Sequence, residues 1–206
     1  PFPPYQYDLF QMAITSLSEH NAFEGKHSSV GERSMLGVFQ EVSKKLKDHE
    51  VGGLVTFDLM FEGIRTALKS SVQQSIQIAE NNLDDPFAVR VLKSLFLVKY
   101  VKGFKPSVRN IGILLLSKFE VDQTKQRRQI EEALSRLERE NYIQRNGDVY
   151  EFLTNEEKDV ERQKMLLLKK WTPRNPCCLE TSLKQSIAII INNEMKNWSP
   201  KWAPRK

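Results

Sequence analysis

"NYIQRNGDVYEFLTNEE", residues 141–157, decides how the rest of this sequence is assembled. Two short runs, "YIQR" and "VYEF", flank Asn146-Gly147, the strongest short-range hairpin signal a sequence offers. A two-residue turn there sets Arg145 opposite Asp148 and Ile143 opposite Tyr150. "LTNEE" then starts a helix, with Thr154 or Asn155 at the N-cap and acids in the first turn. A hairpin in this place is either the wing of a nucleic-acid-binding module or the edge of a structural unit inside a larger machine.

Upstream of it, "KQRRQIEEALSRLERENY" predicts a long charged helix whose buried face is Ile130, Ala133, Leu134 and Leu137. Before that, "VRNIGILLLSKF" predicts a helix capped by Ser107, entered through the loop "KGFKPS". "PFAVRVLKSLFLVKYV" is apolar on nearly every side, as a helix at the centre of a small domain must be. Three helices followed by a hairpin is the order of a winged helix-turn-helix, which places such a domain at about residues 86–155.

A first helical region precedes it, at about 1–83. "YDLFQMAITSLSEH" sets Leu9, Met12, Ala13 and Leu17 on one face, widened by Phe10 and Ile14. "ERSMLGVFQEVSKKLK" spaces Met35, Leu36, Phe39, Val42 and Leu46 helically and ends in lysines, where the helix dipole favours them. "FDLMFEGIRTALKSSVQQSIQIAENN" carries one apolar stripe, Phe57, Phe61, Ile64, Leu68, Val72 and Ile76, and predicts one long helix. Residues 156–206 form a basic helical tail. It is broken at "WTPRNPCC", followed by one more helix over "LETSLKQSIAIIINNEMKNW", and expected to be partly disordered towards its end.

The chain has 206 residues and a formal charge of +5. Residues 1–85 carry seven basic against twelve acidic side chains, and residues 86–155 thirteen against eight. Residues 164–206 carry nine against two, so the basic character sits in the middle and the tail. Such charge permits nucleic-acid contact without requiring it. Cys177 and Cys178 are the only cysteines; adjacent side chains diverge too far for an easy disulfide, and reduced thiols in a cytoplasmic protein are expected. The longest apolar runs are too short to span a bilayer, no signal peptide is recognisable, and an opening without Met suits a piece of a longer protein.

No catalytic constellation stands out. The sequence has no G-x-x-x-x-G-K-[ST] phosphate loop, no G-x-S-x-G and no H-E-x-x-H, so neither a catalytic residue nor a metal ligand is expected within it. The acids of "NEEKDVE" sit where a helix start wants negative charge. The residues placed to meet DNA are Lys125, Arg127, Arg128, Arg136 and Arg145. Against that use, Glu131, Glu132, Glu138 and Glu140 stand on the same helix, and Glu132 is placed to pair with Arg136 at i,i+4. Carboxylates repel phosphate, so on physics alone the helix suits structural or protein-binding work better than DNA. In "VGERSML", Arg33 stands on the first turn of a helix, where a guanidinium can address a phosphate or pair with Glu32 or Glu24.

"GERSML", "LKSLFLVKYVKGFKPSVRNI" and above all "RRQIEEALSRLERENYIQRNGDVYEFLTNEEKDVE" resemble the large P-loop ATPase component of BREX (bacteriophage exclusion) defence systems. The likeness runs from about Pro1 to Arg162. It implies that a P-loop core lies upstream, that residues 1–83 are the helical lid of an AAA+ ATPase, and that a winged helix follows. It implies a sensor-2 role for Arg33, reaching a γ-phosphate. ATP and Mg are then cofactors of the full-length protein, not of this segment. The implied partners are double-stranded DNA and other BREX components, with homo-oligomers formed through the ATPase core and no membrane. The expected fold is therefore mainly α, a lid-like bundle followed by a winged helix-turn-helix with a small hairpin. The expected function is non-catalytic coupling of nucleotide state to DNA or partner binding in bacterial antiviral defence. The alternative is a free-standing winged-helix transcriptional regulator, which would bind symmetric half-sites as a dimer.

Overall fold

A computed structural model describes residues 1–24, 32–48 and 52–171, with the side chains of 32–34, 165 and 167–171 excepted. The described chain is mainly helical and carries a small two-stranded antiparallel sheet. In order, the elements are α1 (Tyr5–Glu19), α2 (Glu32–Lys45), α3 (Leu59–Ile64), α4 (Ser70–Asn82), α5 (Pro86–Val98), α6 (Val108–Leu114), α7 (Gln123–Arg139), β1 (Ile143–Asn146), β2 (Val149–Phe152) and α8 (Asn155–Trp171). Pro1–Lys158 form one compact unit, and a second unit begins at Asp159 within α8. In that second unit, Arg162 pairs with Asp159 and Lys164 with Glu161 along the helix. The Cys177-Cys178 pair and the helix expected over 179–198 lie outside the described residues.

Helix α5 organises the first unit. Asp85 caps it by accepting from the Phe87 amide at 2.9 Å, and Pro86 takes the first turn, where a missing N–H costs nothing. Nine of its thirteen residues are buried, from Ala88 to Val98, so neighbours must cover it all round. Helices α1, α3, α4, α6 and α7 and strand β2 do so. Edge-to-face ring pairs cross this core, Phe61 on Phe96 at 5.7 Å and Phe96 on Phe152 at 5.3 Å. Segments 1–83 and 86–155 thus share one core. Backbone bonds also knit them: the Leu54 amide donates to the Ser117 carbonyl at 2.7 Å and the Phe57 amide to the Leu114 carbonyl at 2.8 Å.

The single long helix expected over 57–82 is broken. Its apolar stripe is buried as expected at Phe57, Phe61, Ile64, Leu68 and Ile76, but a 3-10 turn at Arg65–Ala67 and an extended Leu68 separate α3 from α4. The reason is a competing backbone partner. Leu68 bridges Phe23 antiparallel, Glu24 donates to the Ala67 carbonyl and Lys69 to the Ala22 carbonyl. In α1 the seam is Gln6, Leu9, Phe10, Ala13, Ile14 and Leu17, while Met12 is 47 % exposed. At 100° per residue Met12 lies about 130° from the centre of that seam. In α2, Val38, Phe39 and Val42 are buried and Leu36 is 73 % exposed. Val38 is drawn in by α3, whose Gly63 leaves room for it. A Cβ built on Gly63 would lie 2.5 Å from Val38 Cγ1.

One ionic network joins α2, α3, the 3-10 turn, α4 and α5. Lys93 donates to Glu62 and approaches Glu80, both at 2.7 Å; Arg65 pairs with Glu80 and, at 3.4 Å, with Glu62; Lys45 reaches Glu62 at 3.9 Å. Burial pushes both carboxyls up, yet the hydrogen bonds and charges of Lys93 and Arg65 outweigh it and hold both below the ordinary range.

The hairpin forms where the sequence places it, with its register slid by one residue on each strand. Ile143 faces Phe152, Arg145 faces Tyr150 and Asn146 faces Val149, so the two-residue loop is Gly147-Asp148. Gly147 has φ +63° and Asp148 is not among the positive-φ residues. A positive φ at the first loop position alone is the requirement of a type II′ turn, which Gly-Asp meets, whereas type I′ needs it at both. The slide keeps every side chain on its expected face.

Two stability measurements follow from this packing. Gly63→Ala should destabilise the protein by about 1–3 kcal/mol in urea denaturation, because Val38 must be displaced. The Glu62–Glu80 network should matter in acid. Lowered carboxylate values mean that its stabilisation is full above the ordinary value of 4.5 and is lost as pH falls below it. Denaturation midpoints should therefore drop between about pH 5 and pH 3, and less so in Glu80→Gln.

Candidate functional site

Helices α6 and α7 and the hairpin converge on one open groove. Ser107 caps α6 by accepting from the Asn110 amide, and Asp122 caps α7 by accepting from the Thr124 and Lys125 amides. Gln126 Nε2 donates to the Gly112 carbonyl at 3.1 Å, which fixes the two helices to each other. Asn141, at φ +59°, turns the chain from α7 into β1. The Tyr150 amide donates to the Pro106 carbonyl at 3.0 Å, which anchors the hairpin beside the start of α6. The buried face of α7 is Ile130, Ala133, Leu134 and Leu137, as its periodicity predicts.

The groove has a volume of about 870 Å³. Val108, Ile113 and Leu116 line it over the buried Ile130, and Arg109, Arg127 and Arg145 stand on its walls with Glu131 and Asp148. Arg127 Nε donates to Glu131 Oε1 at 2.9 Å, and both side chains are largely exposed. Arg145 Nε donates to the Gly147 carbonyl at 2.8 Å, with its guanidinium 5.7 Å from the centre of the Tyr150 ring.

The structure divides the five basic residues singled out from the sequence. Arg127 and Arg145 share this groove. Arg128 and Arg136 line a separate hollow with Asp85, Glu131, Glu132, Ser135 and Arg139. Lys125, 83 % exposed, lines neither and lies 3.9 Å from Asp122. Arg136 approaches Asp85 at 4.0 Å and not the expected Glu132, and the i,i+4 pair present on α7 is Arg127–Glu131. Arg33 is the second residue of α2, and its side chain lies outside the described residues. Arg109 was missed. It lies on a short helix whose apolar pattern dominates its reading, and only the fold brings it beside Arg127.

The acids after the hairpin have structural work. Glu157 accepts from the Thr154 amide at 2.7 Å while the Thr154 hydroxyl accepts from the Glu157 amide, a complete capping box at the start of α8. The same carboxylate takes Lys99 Nζ at 2.6 Å, and Lys99 also donates to the Phe152 carbonyl at 2.5 Å. The Lys99 side chain is 1 % exposed and lies near the Tyr100 and Phe152 rings. One buried ammonium thus ties the end of α5, the end of β2 and the first turn of α8.

No protein-family model matches the chain, and no solved structure matches it significantly. No helix among the described residues is long and apolar enough to cross a membrane, and no cluster of three or more His, Cys, Asp or Glu side chains that could hold a metal occurs among them.

Lys99→Met keeps the apolar stem and removes the ammonium, leaving the Phe152 carbonyl and Glu157 without it. The variant should lose about 1–3 kcal/mol of stability. Hydrogen exchange should accelerate at β2 and the first turn of α8 before it does in α5.

Proposed function

We propose that the chain is a non-catalytic module of a BREX-type defence ATPase, coupling the nucleotide state of a neighbouring AAA+ core to engagement of DNA or of another component. The observation that carries this reading is the convergence of α6, α7 and the hairpin on a groove walled by Arg109, Arg127 and Arg145. Three helices and a hairpin in this order suit a winged helix-turn-helix. The resemblance of residues 1–162 to the BREX ATPase supplies the context. In that context Arg33 senses the γ-phosphate, and ATP and Mg belong to the upstream core. The protein then works in the bacterial cytoplasm.

The shared core supports coupling. The first-region helices α1, α3 and α4 pack on α5, and α5 in turn carries α6, α7 and β2. A displacement of the first region therefore has a packed route to the groove. The Arg127–Glu131 pair is exposed and its hold is weak, so it does not bar an incoming ligand from the guanidinium.

Fluorescence anisotropy with unrelated DNA duplexes, at low and at physiological salt, tests the DNA arm. Contact with DNA should appear as weak binding that falls steeply with salt and disappears in the Arg127→Glu/Arg128→Glu variant. Tight, sequence-selective binding by a dimer would favour a free-standing winged-helix regulator. Absence of binding at low salt removes DNA and leaves the face to a protein partner.

A further inference from the structure

We propose that the groove between α6, α7 and the hairpin takes an acidic amphipathic segment of a partner protein. Its apolar side chains would cover Ile113, Leu116 and Val108, and its carboxylates would meet Arg109, Arg127 and Arg145. This rests on the binding face proposed above and names its occupant.

The apolar part of the groove is unneeded by the core. Helix α6 already buries Ile111 and Leu114, whereas Ile113 is 46 % exposed and Leu116 and Val108 are half-buried. All three line one groove. A duplex offers little to cover them beyond thymine methyl groups, but the apolar face of a helix covers such residues readily.

The charged part selects the sign of the partner. Each cation on the walls is an arginine, the side chain whose planar fork binds carboxylates in pairs of hydrogen bonds. The Arg109 side chain is exposed and makes no hydrogen bond or ion pair among the described residues. Arg145 is already held by the Gly147 carbonyl and the Tyr150 ring, so less side-chain freedom is lost on binding. The carboxylates present, Glu131 and Asp148, would repel a continuous phosphate backbone. A peptide carboxylate can avoid them because its charges are discrete.

The test uses the full chain and three fluorescein-labelled model peptides of about 14 residues. One has Leu and Phe at i, i+3, i+4 and i+7 with Glu elsewhere, the second has Lys in place of Glu, and the third is acidic with Ser in place of Leu and Phe. The first should bind saturably with Kd on the order of 10–100 μM, and the other two should not. Arg109→Glu and Ile113→Glu, both at exposed positions, should each weaken it about tenfold or more, with the circular dichroism spectrum unchanged. Equal binding of the Lys or Ser peptide, or indifference to Ile113→Glu, overturns the proposal. So does salt-sensitive duplex binding without peptide binding, which leaves the face intact and gives it to DNA. If neither peptide nor duplex binds, the face and its occupant fall together.

Discussion

Helix α5 has almost no solvent side, and the arrangement of the first unit follows from that constraint. An amphipathic helix can be satisfied by one neighbour, whereas a helix buried all round must be enclosed. The enclosing elements come from both ends of the sequence, α1, α3 and α4 before it and α6, α7 and β2 after it. The composition changes near residue 85, from acidic to basic, but the core does not divide there. Three charged attachments fix the rod along its length, the first of them Arg90, whose Nε donates to the buried Asp58 at 3.1 Å. Lys93 meets Glu62 and Glu80 near its middle, and Lys99, one residue past its end, meets Glu157 and the Phe152 carbonyl.

What could be seen in the sequence was the set of side chains that go inside, more than the path of the backbone. The seam of α7 follows from periodicity and the enclosure of α5 from its apolar character on nearly every side, and both appear as expected. The stripe from Phe57 to Ile76 was also visible, yet its continuity suggested one helix where the chain makes two. Periodicity says which residues share a face and says nothing of a rival hydrogen-bond partner, and here residues 22–24 supply one to residues 67–69. The turn shows the same limit. Sliding both strands by one residue leaves every side chain on its face, so the apolar pattern cannot choose between Asn146-Gly147 and Gly147-Asp148. The turn that forms is the one whose first loop residue, Gly147, alone takes a positive φ, and it pairs Ile143 with Phe152.

The candidate site was legible only in part, for a related reason. Basic residues on a long charged helix announce themselves, and Arg127, Arg128 and Arg136 were conspicuous. At 100° per residue the helix itself sets Arg127 apart from Arg128 and Arg136, and the fold turns Arg127 to the groove beside the hairpin and the other two to the hollow that contains Asp85. Arg109 joins Arg127 from a different helix, which no spacing rule within one element can foresee. Gln6 is the counterpart in the core. It is fully buried on the α1 seam, where its Nε2 donates to the Val55 carbonyl at 2.7 Å, a partner 49 residues away.

Two carboxylates, one on α7 and one at its cap, acquire a meaning once the helix is seen in place. Glu131 holds Arg127 across one turn, and Asp122 caps the helix start. An arginine held by a neighbouring carboxylate on an exposed surface is ordered without being neutralised beyond use, since such a pair is weak in water and yields to a better-placed partner. A surface built to grip phosphates along a strand would do better with unaccompanied cations. One built to recognise a few carboxylates at set positions gains from side chains already held near their working geometry. Arg145 is held in the same groove by the Gly147 carbonyl and the Tyr150 ring, whereas Arg109 stands there without a side-chain partner among the described residues. Ile113 and Leu116 line the same groove as these guanidiniums, and in the proposed binding they would add apolar contact that a ligand made of charge alone could not use.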